Sequence, residues 1–258
     1  MTTANQILSY LESLAPRSQA MDWDNCGLLC GRGGKEVKKI LVALDPFEGV
    51  AAEAAELGAD LLVTHHPLIF RPAQSVTDQT SVGRTILLLA RNDIAAINLH
   101  TNLDVAEEGV NHVLAHKLSL KDISVIEPTA PGIGLLRQGT VEEQPLDCFL
   151  RQVKDALHTP VLRYADGGRP VRRVACGGGS CASELRSVHR AGCDTFVTAD
   201  AKYNDFWVAR DLGITLIDAG HFYTENPVCT YLHRKLREAF PEIEVIISNS
   251  HRDCMNFF

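Results

Sequence analysis

The chain has 258 residues, of which 45% are hydrophobic and 22% charged, a composition typical of globular proteins rather than disordered ones. The formal net charge is −7 and no stretch is rich in Lys or Arg, so binding to extended nucleic acid is not expected. No apolar run approaches the roughly 20 residues that a membrane span requires. Residues 1–6 show no basic segment followed by an apolar one, so we predict no secretory signal and expect a cytoplasmic protein.

Eight cysteines raise the question of disulfides or a zinc site. The closest pairs, Cys26 with Cys30 and Cys176 with Cys181, do not form C-x-x-C motifs. Thiols stay reduced in the cytoplasm, so we predict that the cysteines are small buried side chains.

The two halves of the chain share one pattern. Each half has a basic pair, an apolar strand, a helical stretch, a Gly-x-Asp turn, a second apolar strand and a third. Short apolar runs that alternate with helical patterns predict an α/β fold, here two similar three-layer lobes related by internal duplication. Unrelated strand–helix–strand units can share such turns, and that alternative leaves the α/β prediction unchanged. The matching segments are 38–43, 58–64 and 94–98 in the first half, and 172–177, 192–198 and 214–218 in the second.

A break between the halves lies at residues 127–132, where two prolines and a glycine interrupt regular structure. We therefore predict a first lobe at residues 1–127 and a second at 128–258, with the C-terminal segment contributing to a metal site between the lobes. Residues 134–170 are predicted to form a connecting hairpin and helix.

Side chains of the metal-ligand type follow three of the predicted strands, in segments 64–67, 100–104 and 218–225. In parallel α/β sheets, ligands bind beyond the carboxyl ends of the strands. Imidazoles combined with carboxylates suit Zn, Fe, Mn or Ni, whereas all-oxygen sites suit Mg or Ca. The candidate ligands are His65, His66, His100, Asp104, His221 and Glu225.

Each candidate also has a purely structural explanation. The pair His65-His66 could be a surface or packing feature, Asp104 a helix N-cap and Glu225 a carboxylate favoured by a helix dipole. The spacing does not distinguish one ion from two. Residues 177–180, Gly-Gly-Gly-Ser, could hold a phosphate through backbone amides, but they lack the lysine of a P-loop and a plain sharp turn is the favoured interpretation.

These motifs, together with Asp-Trp-Asp-Asn-Cys-Gly-Leu at 22–28, resemble in the same order the dinuclear-metal family named GTP cyclohydrolase 1 type 2, also called Ngg-one-interacting-factor-three-like proteins. The resemblance spans nearly the whole chain. It implies two α/β lobes and a ring-shaped homohexamer. It also implies two divalent ions per chain, with Glu225 as a bridge, held by His65, His66, Asp104, His221 and Glu225.

The residues and the resemblance together predict a dinuclear divalent-metal hydrolase of a small molecule. The family reaction is the opening of the GTP imidazole ring by metal-activated water, with loss of formate. We predict that His100 transfers a proton, because it adjoins the ligands and imidazole titrates near neutral pH. The alternatives are a phosphoesterase on another small substrate and a non-enzymatic metal-binding or regulatory scaffold. Where the family often has a Tyr-His pair, this chain has Tyr203-Asn204, and asparagine is no proton shuttle.

Overall fold

The computed structural model describes all residues from Met1 to Phe258 and has a mixed α/β fold with two sheets, as predicted. None of the helices combines the length and apolar character needed to cross a membrane. The helices are α1 Ala4–Leu14, α2 Glu48–Glu56, α3 Ser81–Arg91, α4 Thr101–Val105, α5 Val110–Lys117, α6 Leu146–Leu157, α7 Leu185–Arg190, α8 Tyr203–Leu212, α9 His221–Glu225 and α10 Pro227–Ala239. The strands are β1 Gly27–Cys30, β2 Lys39–Ala43, β3 Leu61–Thr64, β4 Ala95–Asn98, β5 Lys121–Ile126, β6 Leu136–Gln144, β7 Arg163–Ala165, β8 Val171–Cys176, β9 Thr195–Thr198, β10 Thr215–Asp218 and β11 Glu244–Ile247.

The first compact unit consists of Met1–Leu103 and Val228–Arg252. Its sheet has the order β1-β4-β3-β2-β11, and all neighbouring strands are parallel except β1, which pairs antiparallel with β4. Leu41 and Leu62 pack on one face of this sheet against Val50 of α2 and Leu89 of α3. Strands β3 and β4 are buried throughout and β2 is buried from Ile40 to Ala43, as the continuous apolar runs at 40–44 and 61–63 predict, whereas the edge strands β1 and β11 are only partly buried.

The second compact unit consists of Asp104–Pro227 and Asp253–Phe258. Its sheet has the order β5-β6-β8-β9-β10-β7, with β8, β9 and β10 parallel to one another. Val174 and Ile217 pack against α5 and α6, whereas Phe196 and Leu216 pack against α7 and α8. Because alternate residues of a strand point to opposite faces, this unit has three layers, helix–sheet–helix. The two sheets are consistent with an internal duplication.

The bounds of the two compact units differ from the predicted division between residues 127 and 128. The difference arises because strand pairing between distant segments decides to which unit a segment belongs. Strand β11 pairs in parallel with β2, which brings the segment Val228–Arg252 into the first unit. Strand β5 pairs with β6 in the second sheet, and residues 104–127 already belong to the second unit. Residues 134–170 likewise contribute β6 and β7 to that sheet rather than forming a separate connector.

Candidate metal centre

The parallel strands of the first unit end together and place two histidine segments at one edge of the sheet. Thr64, the last residue of β3, pairs with Asn98, the last residue of β4. Both side chains donate to the backbone carbonyl of His66, at 2.7 Å from the Thr64 hydroxyl and 3.0 Å from the Asn98 amide. These bonds hold the turn after β3, and the rings of His65 and His66 lie 4.9 Å apart instead of on opposite faces.

His65, His66 and His100 form a histidine trio in the first unit. Their ligand nitrogens lie within 4.8 Å of one another. The ring centroid of His100 is 5.3 Å from that of His65 and 5.6 Å from that of His66. His65 is fully buried and the other two are half-buried, so an ion bound here would meet three imidazoles and still be reachable by a small molecule.

Each ring of the trio is oriented through its Nδ1 atom. Nδ1 of His65 lies 2.8 Å from a backbone carbonyl oxygen. Nδ1 of His66 lies 2.7 Å from a carboxylate oxygen of Asp45, and Nδ1 of His100 lies 2.8 Å from one of Asp24. An acceptor at Nδ1 favours the tautomer whose lone pair is on Nε2, the usual arrangement of a metal-binding histidine.

The Asp24 carboxylate that holds His100 is itself buried and well bonded. It accepts hydrogen bonds from the backbone amide of Thr101 at 2.9 Å and from its hydroxyl at 2.5 Å. Burial raises the pKa of Asp24, but the hydrogen bonds with His100, Thr101 and Cys26 outweigh burial and hold that pKa well below its usual range. Asp24 therefore stays ionised at neutral pH and fixes the imidazole in one orientation.

The second unit has its own histidine and carboxylates beyond the ends of parallel strands. Thr198 of β9 pairs with Asp218 of β10, so the segments that follow these strands begin at one edge. Nδ1 of His221 lies 2.8 Å from a carboxylate oxygen of Asp200, and Nε2 lies 3.0 Å from one of Glu225. His221 and Glu225 begin and end α9, which places them on one helix face, as their four-residue spacing predicts.

The charges around His221 favour a cation. Burial lowers the pKa of His221, but Asp200 and Glu225 outweigh it and raise the pKa to about 11. Glu225 is only 4% exposed, and a buried carboxylate is costly unless a positive group accompanies it. The potential that retains a proton on His221 would also attract a divalent cation, which then takes the proton's place.

The glycine turn at 177–179 lies against Glu225. The amide of Gly178 donates to the Asn111 side chain at 2.6 Å and that of Gly179 to the Thr224 hydroxyl at 3.0 Å, which supports a structural turn rather than a phosphate cradle. A Cβ at residue 179 would lie 2.1 Å from a Glu225 carboxylate oxygen, and φ there is +62°. Only glycine fits this position.

Asp104 occupies the fourth position of α4 and is half-buried. Its backbone carbonyl accepts a hydrogen bond from the Asn111 side chain at 3.2 Å. Burial is the largest cause of a strongly raised pKa at Cys181, and the charges of Asp104 and Glu225 raise it further. Both carboxylates therefore act on the same buried thiol within the second unit.

Several groups that position the candidate ligands were missed by the sequence analysis. Asp45 follows β2 just as His65 follows β3, so the strand-end rule could have found it. Nothing in the sequence signalled Arg137, which is 1% exposed. Its guanidinium donates to backbone carbonyls of Ala106 and Gly134, both at 2.6 Å, and so anchors the segment after Asp104.

These observations define a two-sheet α/β protein with histidine and carboxylate groups that could bind a metal. The chain belongs to the Duf34/NIF3 (NGG1p interacting factor 3) family, which it matches over residues 2–254, and the predicted resemblance is thereby confirmed. It is 34% identical over 260 residues to a Clostridium perfringens protein named GTP cyclohydrolase 1 type 2 homolog, with 98% of each chain covered. A Nostoc protein of the same name is 36% identical over 257 residues, which covers 98% of this chain and 97% of that one. A crystal structure of a hypothetical protein from Staphylococcus aureus superposes with a TM-score of 0.92 at 29% identity, with 99% of each chain covered.

Proposed function

We propose that this protein is a divalent-metal-dependent hydrolase whose substrate is a small molecule, with GTP as the first candidate. The observation that carries this proposal is the histidine trio, in which each ring is oriented through Nδ1 and its ring nitrogens gather within 4.8 Å. That arrangement is typical of first-row divalent metals bound by imidazole. The relatives named GTP cyclohydrolase 1 type 2 homolog support the nucleotide.

We propose that the protein binds two ions, of Zn, Fe, Mn or Ni, and that Glu225 would bridge them. Glu225 is buried beside His221, and the charge of Asp104 acts on the same thiol as that of Glu225. Two bound ions would activate water and stabilise negative charge on the substrate. The proposed ligands are His65, His66, Asp104, His221 and Glu225.

His100 is the proposed proton-transfer residue. Asp24 holds its Nδ1, so its Nε2 is the atom that would accept or donate the proton. The ionised carboxylate behind the imidazole fixes its direction, which is the pairing that general acid–base catalysis uses. Because His100 also belongs to the histidine trio, direct coordination is the competing role for the same side chain.

Metal content and product analysis test the proposed function together. We expect about two ions per chain in metal-replete protein, and formate released from GTP at a rate that chelation abolishes. Phosphate release without formate would indicate a phosphoesterase instead. Bound ions with no turnover of GTP or of a phosphoester panel would favour a metal-binding scaffold, and absence of bound ions would contradict the metal centre.

Replacing His100 separates its two possible roles. We expect His100→Gln to keep both ions and to lower kcat by about 100- to 10,000-fold with little change in KM, because glutamine cannot transfer a proton. The exposed His189 of α7 provides a matched control, and His189→Gln should leave kcat and metal content unchanged. If His100→Gln loses an ion, His100 is a ligand rather than a proton-transfer residue.

A further inference from the structure

Two exposed aromatic rings lie beside His100 in the first unit and have no part in the groups described so far. Trp23 is 61% exposed and Phe70 is 46% exposed. Their ring centroids are 5.7 Å apart and the ring planes make an angle of 66°. We refer to Trp23 and Phe70 as the aromatic corner.

The aromatic corner adjoins the histidine trio. The centroid of the Trp23 ring is 6.2 Å from that of His100, and the centroid of the Phe70 ring is 6.1 Å from it. A flat molecule that stacks on either ring would therefore lie next to His100. Single exposed apolar residues are common on protein surfaces. Two adjacent exposed rings at the edge of a candidate site are instead typical of a surface that binds a ligand.

The backbone that carries the corner is held in place although both rings are exposed. Next to Trp23, the Asp24 carboxylate accepts two hydrogen bonds from Thr101. The Asn25 side chain donates to the backbone carbonyl of Ile69 at 2.5 Å. This hydrogen bond connects the segment that carries Trp23 to the segment that carries Phe70. A binding surface that is already ordered loses little conformational entropy when a ligand arrives.

We propose that the aromatic corner binds a planar heteroaromatic ring of the substrate, such as a nucleobase; this inference rests on the proposed function. Two rings at 66° offer a face for stacking and a second ring for an edge-to-face contact, the two arrangements that aromatic pairs prefer. Stacking recognises any flat ring, so the corner selects a class of substrate rather than one base. Two side chains are too few for a stable protein interface, which buries roughly 800 Å² on each partner.

Trp23 can report ligand binding by its own fluorescence. The chain has two tryptophans, so Trp207→Phe in the metal-loaded protein leaves Trp23 as the only one. We expect GMP to quench this fluorescence saturably and ribose 5-phosphate, which lacks the base, to leave it unchanged. Equal quenching by both compounds would overturn the proposal, because the phosphate or sugar would then be the group recognised.

Substitutions in the corner test its contribution to substrate binding. We expect Trp23→Ala and Phe70→Ala each to raise the KM for GTP about 5- to 150-fold while metal content stays unchanged. Trp23→Phe should restore most of the affinity, since it keeps a ring at the same place. Tyr164→Ala removes an aromatic ring that is 50% exposed in the second unit and should leave KM unchanged.

The outcomes distinguish failure of the corner from failure of the proposed function. If Trp23→Ala keeps its turnover and a normal KM for GTP, the proposed role of the aromatic corner is wrong and the hydrolase proposal is unaffected. Quenching by GMP but not by ribose 5-phosphate, in protein that hydrolyses neither GTP nor phosphoesters, would support the corner and contradict the hydrolase.

Discussion

Glu225→Gln is expected to lower the metal content from about two ions per chain to one or none, and the hydrolysis rate by more than about 100-fold. Glu225 is 4% exposed and its carboxylate lies 3.0 Å from Nε2 of His221. The glutamine amide keeps the size of the side chain but removes its charge, and a cation in a buried site needs that charge. Elemental analysis of gel-filtered protein and initial rates on the same preparation measure both effects.

The matched control for this substitution is Glu238→Gln. Glu238 is an exposed residue of α10 that forms an ion pair with Arg234 at 3.1 Å. Exposed ion pairs contribute little to stability, so the control should keep its metal, its activity and its melting temperature. Two ions retained in Glu225→Gln, at the affinity of the unsubstituted protein, would remove Glu225 from the ligand set.

Gly179→Ala is the second substitution with a large expected effect, because it would displace the proposed ligand Glu225 without altering that residue itself. The new Cβ would lie 2.1 Å from a Glu225 carboxylate oxygen and 3.1 Å from Nε2 of His221. The side chains must move to relieve this clash, and a displacement of about 1 Å at a site can reduce activity by a factor of about 100. We expect metal affinity to fall at least about 10-fold, as measured by competition with a chelator.

Gly58→Ala is the control that distinguishes the steric clash with Glu225 from the backbone strain of a positive φ angle. The φ angle is +63° at Gly58 and +62° at Gly179, but a Cβ at residue 58 has no heavy atom within 4 Å. Both variants should lose about 1–2 kcal/mol of unfolding free energy from the left-handed conformation. Only Gly179→Ala should lose metal affinity, and equal metal affinity in the two variants would contradict contact with the site.

The sequence predicted the fold class and the elements from which the ligands project, because those features depend on local patterns. The apolar run at 61–63 and the segment at 214–218 fall in strands β3 and β10, which are buried throughout, and His65 and His221 follow the ends of these strands. The four-residue spacing of His221 and Glu225 likewise predicts that they share one helix face, and both belong to α9.

The contacts that orient the candidate ligands could not be predicted in the same way, because they join distant parts of the chain. Asp24 reaches His100 across 76 positions of the sequence, and Asp45 reaches His66 across 21. A carboxylate such as Asp45 can be located after a strand, but the histidine that it contacts depends on how the strands and loops pack. The sequence does not reveal the requirement for glycine at residue 179 for the same reason. The atom that leaves no room for a side chain there belongs to Glu225, which is distant in the sequence.

The α/β class and the family were thus predictable from the residues alone, and six polar residues, from His65 to Glu225, stay predicted members of the candidate site. Which segments form each unit depends on the three-dimensional fold, because β11 pairs with β2 although the two strands are far apart in the sequence. The three-dimensional fold also decides the direction of each imidazole, since a hydrogen bond at Nδ1 depends on a second element. Local patterns select the type of side chain at a strand end, and non-local packing decides what that side chain faces.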